Sequence, residues 1–240
     1  MMYEPFKSTS FLVREMLQKI DKTRASLIIG IPKENQIVEK RLALTPETTA
    51  LLVEAGHRVL VEKGAGLTIN YSDRYYAESG AEIVESHSEA LQVDLVLKIA
   101  PPTLEEVNMM NPRSVVFSFL QLHRLSLPLL ELMSEKRINA IAYDLIYDNT
   151  GVSPFVTAIS EIEGATSITL AAELLSNAHG GKGILMGGVP GVSPTEVIIA
   201  GAGVAGTVAA RAALALGAQV KVFDEDISKL RTIQHTLGRT

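Results

Sequence analysis

Three glycines at positions 201, 203 and 206 follow the apolar run Glu196-Val197-Ile198-Ile199-Ala200 and open an alanine-rich segment that runs through Leu216. That Gly-x-Gly-x-x-Gly spacing suits the diphosphate of a dinucleotide. Gly201 permits a tight turn, Gly203 lets the backbone approach a pyrophosphate, and Gly206 lets helix and strand pack closely. The helix start at Val204 and Ala205 then offers unpaired N–H groups and a partial positive charge to the phosphates. A glycine triplet alone is a weak signal. Here strand, glycine turn, helix, Gly217, a second strand Gln219–Phe223 and an acid some 20 residues on occur in the order the chemistry requires. Asp224 at the end of the second strand is placed to accept hydrogen bonds from the adenosine ribose hydroxyls, and its charge would repel a 2′-phosphate. Glu225 and Asp226 deepen that negative field, so the expected cofactor is NAD and not NADP. Read without a ligand, Asp224 would cap a turn.

Such a turn works only on a rigid scaffold. From Ser26 onward, short β-branched runs alternate with helix-length amphipathic segments, the rhythm of an α/β protein with largely parallel sheets. The expected strands are Leu27–Gly30, Arg58–Glu62, Ala81–Val84, Leu95–Ile99, Ser114–Ser118 and Ala140–Ala142. Thr45-Pro46-Glu47 supplies an N-cap and a proline at the first helical position, and Gly56 closes that helix. Ser72-Asp73 with Gly80 repeats the pattern, and Thr103 to Glu106 reads as a capping box. A long helix is expected over Ser160–Leu175, after a turn at Asp148–Gly151. The stretch Gly180–Gly191 then has the glycine content of a loop that comes close to ligands. Ahead of all this, Phe11, Leu12, Met16, Leu17 and Ile20 suggest one amphipathic helix.

The bulk numbers are compatible with two modest domains. The chain has 240 residues, 47% of them hydrophobic, with a formal net charge of -5 and no basic block, so a nucleic-acid partner is not expected. Cysteine is absent, which excludes disulfides, thiolate metal sites and cysteine nucleophiles. Met1 to Ala25 lacks the apolar core of a signal peptide, and no stretch of about 18 uninterrupted apolar residues occurs, so cytoplasmic residence without membrane insertion is expected. His57, His87, His179 and His235 are scattered singly without ligand spacing, and no metal site is expected.

Further motifs carry a family resemblance. Gly30-Ile31-Pro32-Lys33-Glu34, Arg41-Leu42-Ala43-Leu44-Thr45-Pro46, Gly56 to Glu62, Gly64-Ala65-Gly66, Leu95 to Lys98, Ser160-Glu161-Ile162 and Gly187 to Val192 occur in order ahead of the glycine fingerprint. From Leu27 to the end the chain resembles the alanine dehydrogenase and nicotinamide nucleotide transhydrogenase α-subunit family, the former more closely. The resemblance implies an α/β fold of two Rossmann-like domains with largely parallel sheets, the second truncated. It divides the chain into an extension (1–26), a substrate domain (27–158), a linker helix with its glycine-rich loop (159–195) and a partial NAD-binding domain (196–240). It also implies interconversion of L-alanine with pyruvate and ammonia, with hydride passing between the α-carbon and the nicotinamide, in a homo-oligomer.

Residue roles follow from the same resemblance. Arg41 becomes the clamp for the substrate carboxylate, through its bidentate fork, and Lys98 the cation beside the carbonyl oxygen. The family's catalytic histidine falls in a motif matched here by Phe117-Ser118-Phe119-Leu120-Gln121-Leu122-His123, and the matching residue is Gln121. Glutamine can orient a substrate but cannot exchange protons near neutral pH, so proton transfer must fall to another group or to a bound water. His123, two residues on, would share a side with Gln121 if strand alternation persisted, which makes it one candidate beside Lys98; otherwise it is a partly exposed loop histidine. A complete dinucleotide domain needs further strands, so this chain is expected to be a fragment with little activity by itself. A dinucleotide-binding module of a transhydrogenase, a dehydrogenase of a larger amino acid, and a binding protein without turnover remain open alternatives.

Overall fold

The computed structural model describes residues 26–35 and 37–238, and the amphipathic segment expected within Met1–Ala25 lies outside them. The chain forms two compact units: the described residues through Ser118 together with His123–Ile141, and Phe119–Leu122 together with the described residues from Ala142 on.

The first unit is built on a six-stranded sheet. Its strands are β1 (Ile28–Ile31), β2 (Arg58–Glu62), β3 (Glu82–Val84), β4 (Leu95–Leu97), β5 (Val115–Ser118) and β6 (Asn139–Ala142), in the order β3-β2-β1-β4-β5-β6. β1 pairs in parallel with both β2 and β4, so the winding direction reverses between β1 and β4. Both faces of a parallel sheet must be covered, and here they are. Ile29, Ile31, Val59, Val61 and Leu97 form one apolar cluster with Tyr76, while Val96 and Val116 form another with Leu91, Val107 and Met133. The helices that cover them are α1 (Pro46–Glu54), α2 (Asp73–Glu78), α3 (His87–Leu91), α4 (Leu104–Met109) and α5 (Leu127–Glu135).

Local signals set the helix boundaries. Thr45 accepts from the Thr48 N–H, with Pro46 at the first turn, and Gly56 follows at φ 94. Thr103 and Glu106 cap each other reciprocally, as expected. Lys136 satisfies the far end of α4, its ammonium donating to the carbonyls of Val107, Asn108 and Met110. β4 ends two residues short of the expected Ile99, because the Ile99 N–H is taken by the Glu34 carboxylate at 2.5 Å and not by a neighbouring strand.

The second unit contains α6 (Pro154–Leu175), β7 (Glu196–Ala200), α7 (Val204–Ala215), β8 (Gln219–Phe223) and α8 (Ile227–Leu237), with β7 and β8 paired in parallel. α6 begins six residues before the expected Ser160. Ser153-Pro154 is the same residue-then-proline start that was read at Thr45-Pro46, and it governs here too. The core consists of small residues, Ala209, Ala210, Ala213 and Ala218, with Ile168, Met186 and Val220. Backbones therefore come close: a Cβ on Gly164 of α6 would lie 2.3 Å from the Ala205 carbonyl oxygen of α7.

Candidate functional site

In the second unit the structure brings the predicted cofactor residues together. Each of the three glycines has a different reason to be glycine. Gly201 sits at φ 107, a conformation L side chains rarely adopt. Gly206 has ordinary backbone angles, but a Cβ there would lie 1.9 Å from the Gly201 carbonyl oxygen. Gly203 is constrained by neither: its backbone is extended (φ -73, ψ -169), and a Cβ would meet no protein atom within 4 Å. The space beside Gly203 is open.

Gly203 is also the N-cap of α7, and no side chain there accepts from the first-turn N–H groups, so those of Val204, Ala205 and Gly206 remain directed outward. A cavity of about 390 Å³ opens on this turn, bordered by Ala202, Gly203, Thr207, Arg211, Ser228 and Lys229. Asp224 accepts the N–H of Ala202 at 2.6 Å and that of Asp226 at 2.8 Å. These backbone donors hold its carboxyl below the usual range. The turn-capping reading of Asp224 and the ribose-facing one are thus compatible, since a carboxylate has acceptor sites for both.

In the first unit the groups of chemical interest gather at the C-terminal ends of β1 and β4, where the sheet reverses its winding. In open α/β sheets that crevice is where ligands bind. Glu34 follows β1 and Lys98 follows β4 directly. Lys98 is 3% exposed; its ammonium donates to Glu106 Oε1 at 2.5 Å and lies 3.4 Å from Glu34 Oε2. The second contact is the longer and weaker of the two, and by distance and angle Glu34 Oε2 accepts no hydrogen bond. His87 joins the cluster, with Nε2 3.2 Å from Glu106 Oε1 and Nδ1 2.6 Å from Glu62 Oε2. Glu34, Glu62, His87 and Glu106 border a cavity of about 240 Å³ together with Lys33 and Thr103.

The titration behaviour follows from these contacts. Burial pushes the Glu34 carboxyl up despite Lys98. Burial acts the same way on Glu106, but the His87 and Lys98 bonds outweigh it and bring that carboxyl down to about 2. Hydrogen bonds to Glu106 and Glu62 raise His87 from 6.5 to about 9. A raised imidazole stabilises the folded state fully below 6.5 and loses that contribution as pH rises through about 9. Glu106 contributes in the opposite sense, fully above 4.5 and decreasingly as pH falls through about 2. We therefore expect the urea midpoint of the chain to fall between pH 6.5 and 9, with about 1 to 2 kcal/mol of the loss due to His87 after allowance for solvent screening. Denaturation at a series of pH values checks this, with His87→Asn as the comparison that separates the ring from Glu34, whose raised carboxyl acts in the same direction. Equal slopes in the two proteins would rule the assignment out.

The other expected residues are arranged as follows. Arg41 lies 53% exposed and forms a two-pronged contact with Glu39, Nε to Oε1 at 2.8 Å and Nη2 to Oε2 at 2.6 Å. Lys98 and Arg41 are thus held on separate carboxylates. Gln121 belongs to the second unit and adopts φ 47, with its own N–H and that of Leu120 donating to the Asp144 carboxylate at 3.2 and 3.1 Å. The rings of Phe119, Tyr143 and Phe155 stack beside this turn at centroid distances of 5.6 and 5.2 Å. His123 is exposed in a short 3-10 turn, Leu122–Arg124. Strand β5 ends at Ser118, so the alternation that would have put His123 on the Gln121 side does not extend that far.

Comparison with known proteins fits this geometry. The N-terminal domain profile of the family described as alanine dehydrogenase/PNT matches residues 30–163, and its C-terminal domain profile matches residues 167–240. The chain belongs to that family. It is 40% identical to the alanine dehydrogenase of Staphylococcus saprophyticus over 208 residues, covering 87% of this chain and 56% of the relative. It is 38% identical to that of Bacillus subtilis over 213 residues, covering 88% and 56%. A solved L-alanine dehydrogenase superposes with a TM-score of 0.80 at 37% identity, covering 88% of this chain and 58% of that one. A transhydrogenase from Sinorhizobium meliloti shares the fold, with a TM-score of 0.76 at 24% identity and coverage of 89% and 63%. This family member thus spans a little over half the length of the curated relatives it matches.

Two parts of the cluster escaped sequence reasoning. His87 gave no signal, since the residues that surround it are distant in sequence. Glu106 was legible only as the third residue of a capping box; its Oε2 does accept the Thr103 N–H at 2.6 Å, while Oε1 serves Lys98 and His87.

Proposed function

We propose that this chain is the substrate-domain and nucleotide-turn portion of an NAD-dependent oxidoreductase that interconverts L-alanine with pyruvate and ammonia. The observation that carries the nucleotide half is Gly203, a glycine that neither its own backbone nor its protein neighbours require and whose missing side chain leaves room beside unpaired helix N–H groups. Bound NAD would supply the hydride acceptor; Gly201, Gly203, Val204, Ala205 and Gly206 would hold its diphosphate and Asp224 its ribose. The substrate half rests on the charged crevice at the β1/β4 reversal and on the family. In this reading Lys98 carries the positive charge and proton for the carbonyl oxygen and Arg41 exchanges Glu39 for the substrate carboxylate, while Gln121 and His123 are candidates from the family motif and from sequence position. Self-association and cytoplasmic residence belong to the same reading; among the described residues no helix is long and apolar enough to cross a membrane.

Two measurements test the proposal. Calorimetric titration should show NAD binding more tightly than NADP, and Asp224→Asn should narrow the gap, because it removes the charge that repels a 2′-phosphate while keeping an acceptor oxygen. Equal affinity for both dinucleotides in the unmodified chain would count against NAD. Spectrophotometric assay of the chain and of its extended gene product should give NAD reduction that depends on an amino acid in the extended form, with alanine the best substrate of a screen. Dinucleotide binding with no amino-acid dependence would favour a transhydrogenase-type module.

A further inference from the structure

One carboxylate oxygen joins a buried ammonium of the first unit to its edge. Lys98 donates to Glu106 Oε1, His87 Nε2 approaches the same oxygen, and His87 Nδ1 is held by Glu62. Side-chain exposure rises along this line from 3% at Lys98 and 9% at Glu106 to 32% at His87. Lys98 does not border the cavity, whereas Glu106 and His87 do. The imidazole is thus the most exposed member of this hydrogen-bonded line and borders the cavity together with Glu34. Both ring nitrogens face carboxylates, an arrangement satisfied by an imidazolium with two N–H donors. The other charged groups around the cavity are Lys33, Glu34 and Glu105.

We propose that His87 is a relay residue that passes protons between solvent and the Lys98 ammonium by way of Glu106. The step balances simply. After Lys98 has released a proton, the His87 imidazolium gives its Nε2 proton to Glu106 Oε1, and Glu106 passes a proton to the neutral Lys98 amine. The ring then regains one from water, so one proton enters and one reaches Nζ, while no bond between heavy atoms changes. The reverse sequence carries a proton out. The use of that proton in amino-acid oxidation rests on the role given to Lys98 above, and it answers the difficulty that Gln121 cannot exchange protons. The relay itself needs no turnover.

Hydrogen exchange between water and the 15N-labelled Lys98 ammonium, followed by NMR on the full chain, tests it. His87→Ala should slow that exchange by about tenfold or more, and added imidazole should restore it, as expected when a positioned acid/base group is lost and then supplied from solution. If His87 only props the pocket, its removal opens the site and exchange stays the same or quickens, which overturns the proposal. Glu62→Gln keeps the ring but removes the carboxylate at Nδ1, and should move the pH dependence of the exchange to lower pH. An unmoved profile in that variant overturns the proposal even if His87→Ala does not fold. Failure of the alanine assay would leave these readings intact and would count only against the enzymatic assignment.

Discussion

Changing Gly203 to alanine should abolish most NAD binding while leaving the protein folded. The extended backbone accepts an alanine, and the new methyl group meets no protein atom within 4 Å, so the stability cost is limited to the weaker helix cap, about 1 kcal/mol or less. The same methyl group occupies the space assigned to the diphosphate, and we expect affinity for NAD to fall by about 30-fold or more, some 2 kcal/mol. Gly206→Ala is the informative contrast. There the methyl group would lie 1.9 Å from the Gly201 carbonyl oxygen, so folding and binding should fail together, with about 1 to 3 kcal/mol lost from stability. Calorimetry and denaturant unfolding of both variants decide the matter. If Gly203→Ala binds NAD as well as the unmodified chain does, the open space is not a diphosphate site.

A larger loss of stability is expected at Lys98. Its ammonium is the positive charge lying between two carboxylates that are themselves nearly buried, Glu34 and Glu106. Lys98→Ala leaves both without it, and removing one partner of a buried ion pair costs about 3 to 5 kcal/mol. His87 continues to serve Glu106 but makes no recorded contact with Glu34, so the orphaned Glu34 should account for much of the damage. Adding Glu34→Gln to Lys98→Ala should recover part of the loss, because burial disfavours the charged form of that carboxyl, whereas Glu34→Gln alone should cost less than Lys98→Ala, because Lys98 then keeps Glu106. Urea unfolding at pH 7 measures all three. A Lys98→Ala protein within 1 kcal/mol of the parent would show that the pair contributes little, and would leave Lys98 free for a purely chemical role.

Much of this molecule could be read directly from residue order, and the exceptions have physical causes. Caps and prolines act locally, so the starts of α1, α2 and α4 were readable at Thr45, Ser72 and Thr103. The strand ends were less so: β4 stops at Leu97 because of a carboxylate 65 positions away, which no local pattern encodes. The glycine turn is a contiguous device with fixed spacing, and its three positions could be assigned separate duties before any fold was known. The cluster around Lys98 is the opposite case. Glu34, Glu62, His87, Lys98 and Glu106 come from five segments and meet only because parallel winding brings the ends of their strands and helices to one edge. The resemblance makes Arg41 the clamp for a substrate carboxylate, and in the structure its fork holds the Glu39 carboxylate, two residues before it.

The turn at Gln121 bears on how such a protein can change its chemistry. The main-chain amides of Leu120 and Gln121 both donate to Asp144 where the backbone takes φ 47. Those two bonds are made by main-chain donors, which every residue type except proline also carries. Left-handed backbone is tolerated better by histidine, asparagine or aspartate than by branched residues. A histidine at 121 would thus keep both bonds to Asp144 and exchange an amide for a titratable ring on an unchanged main chain.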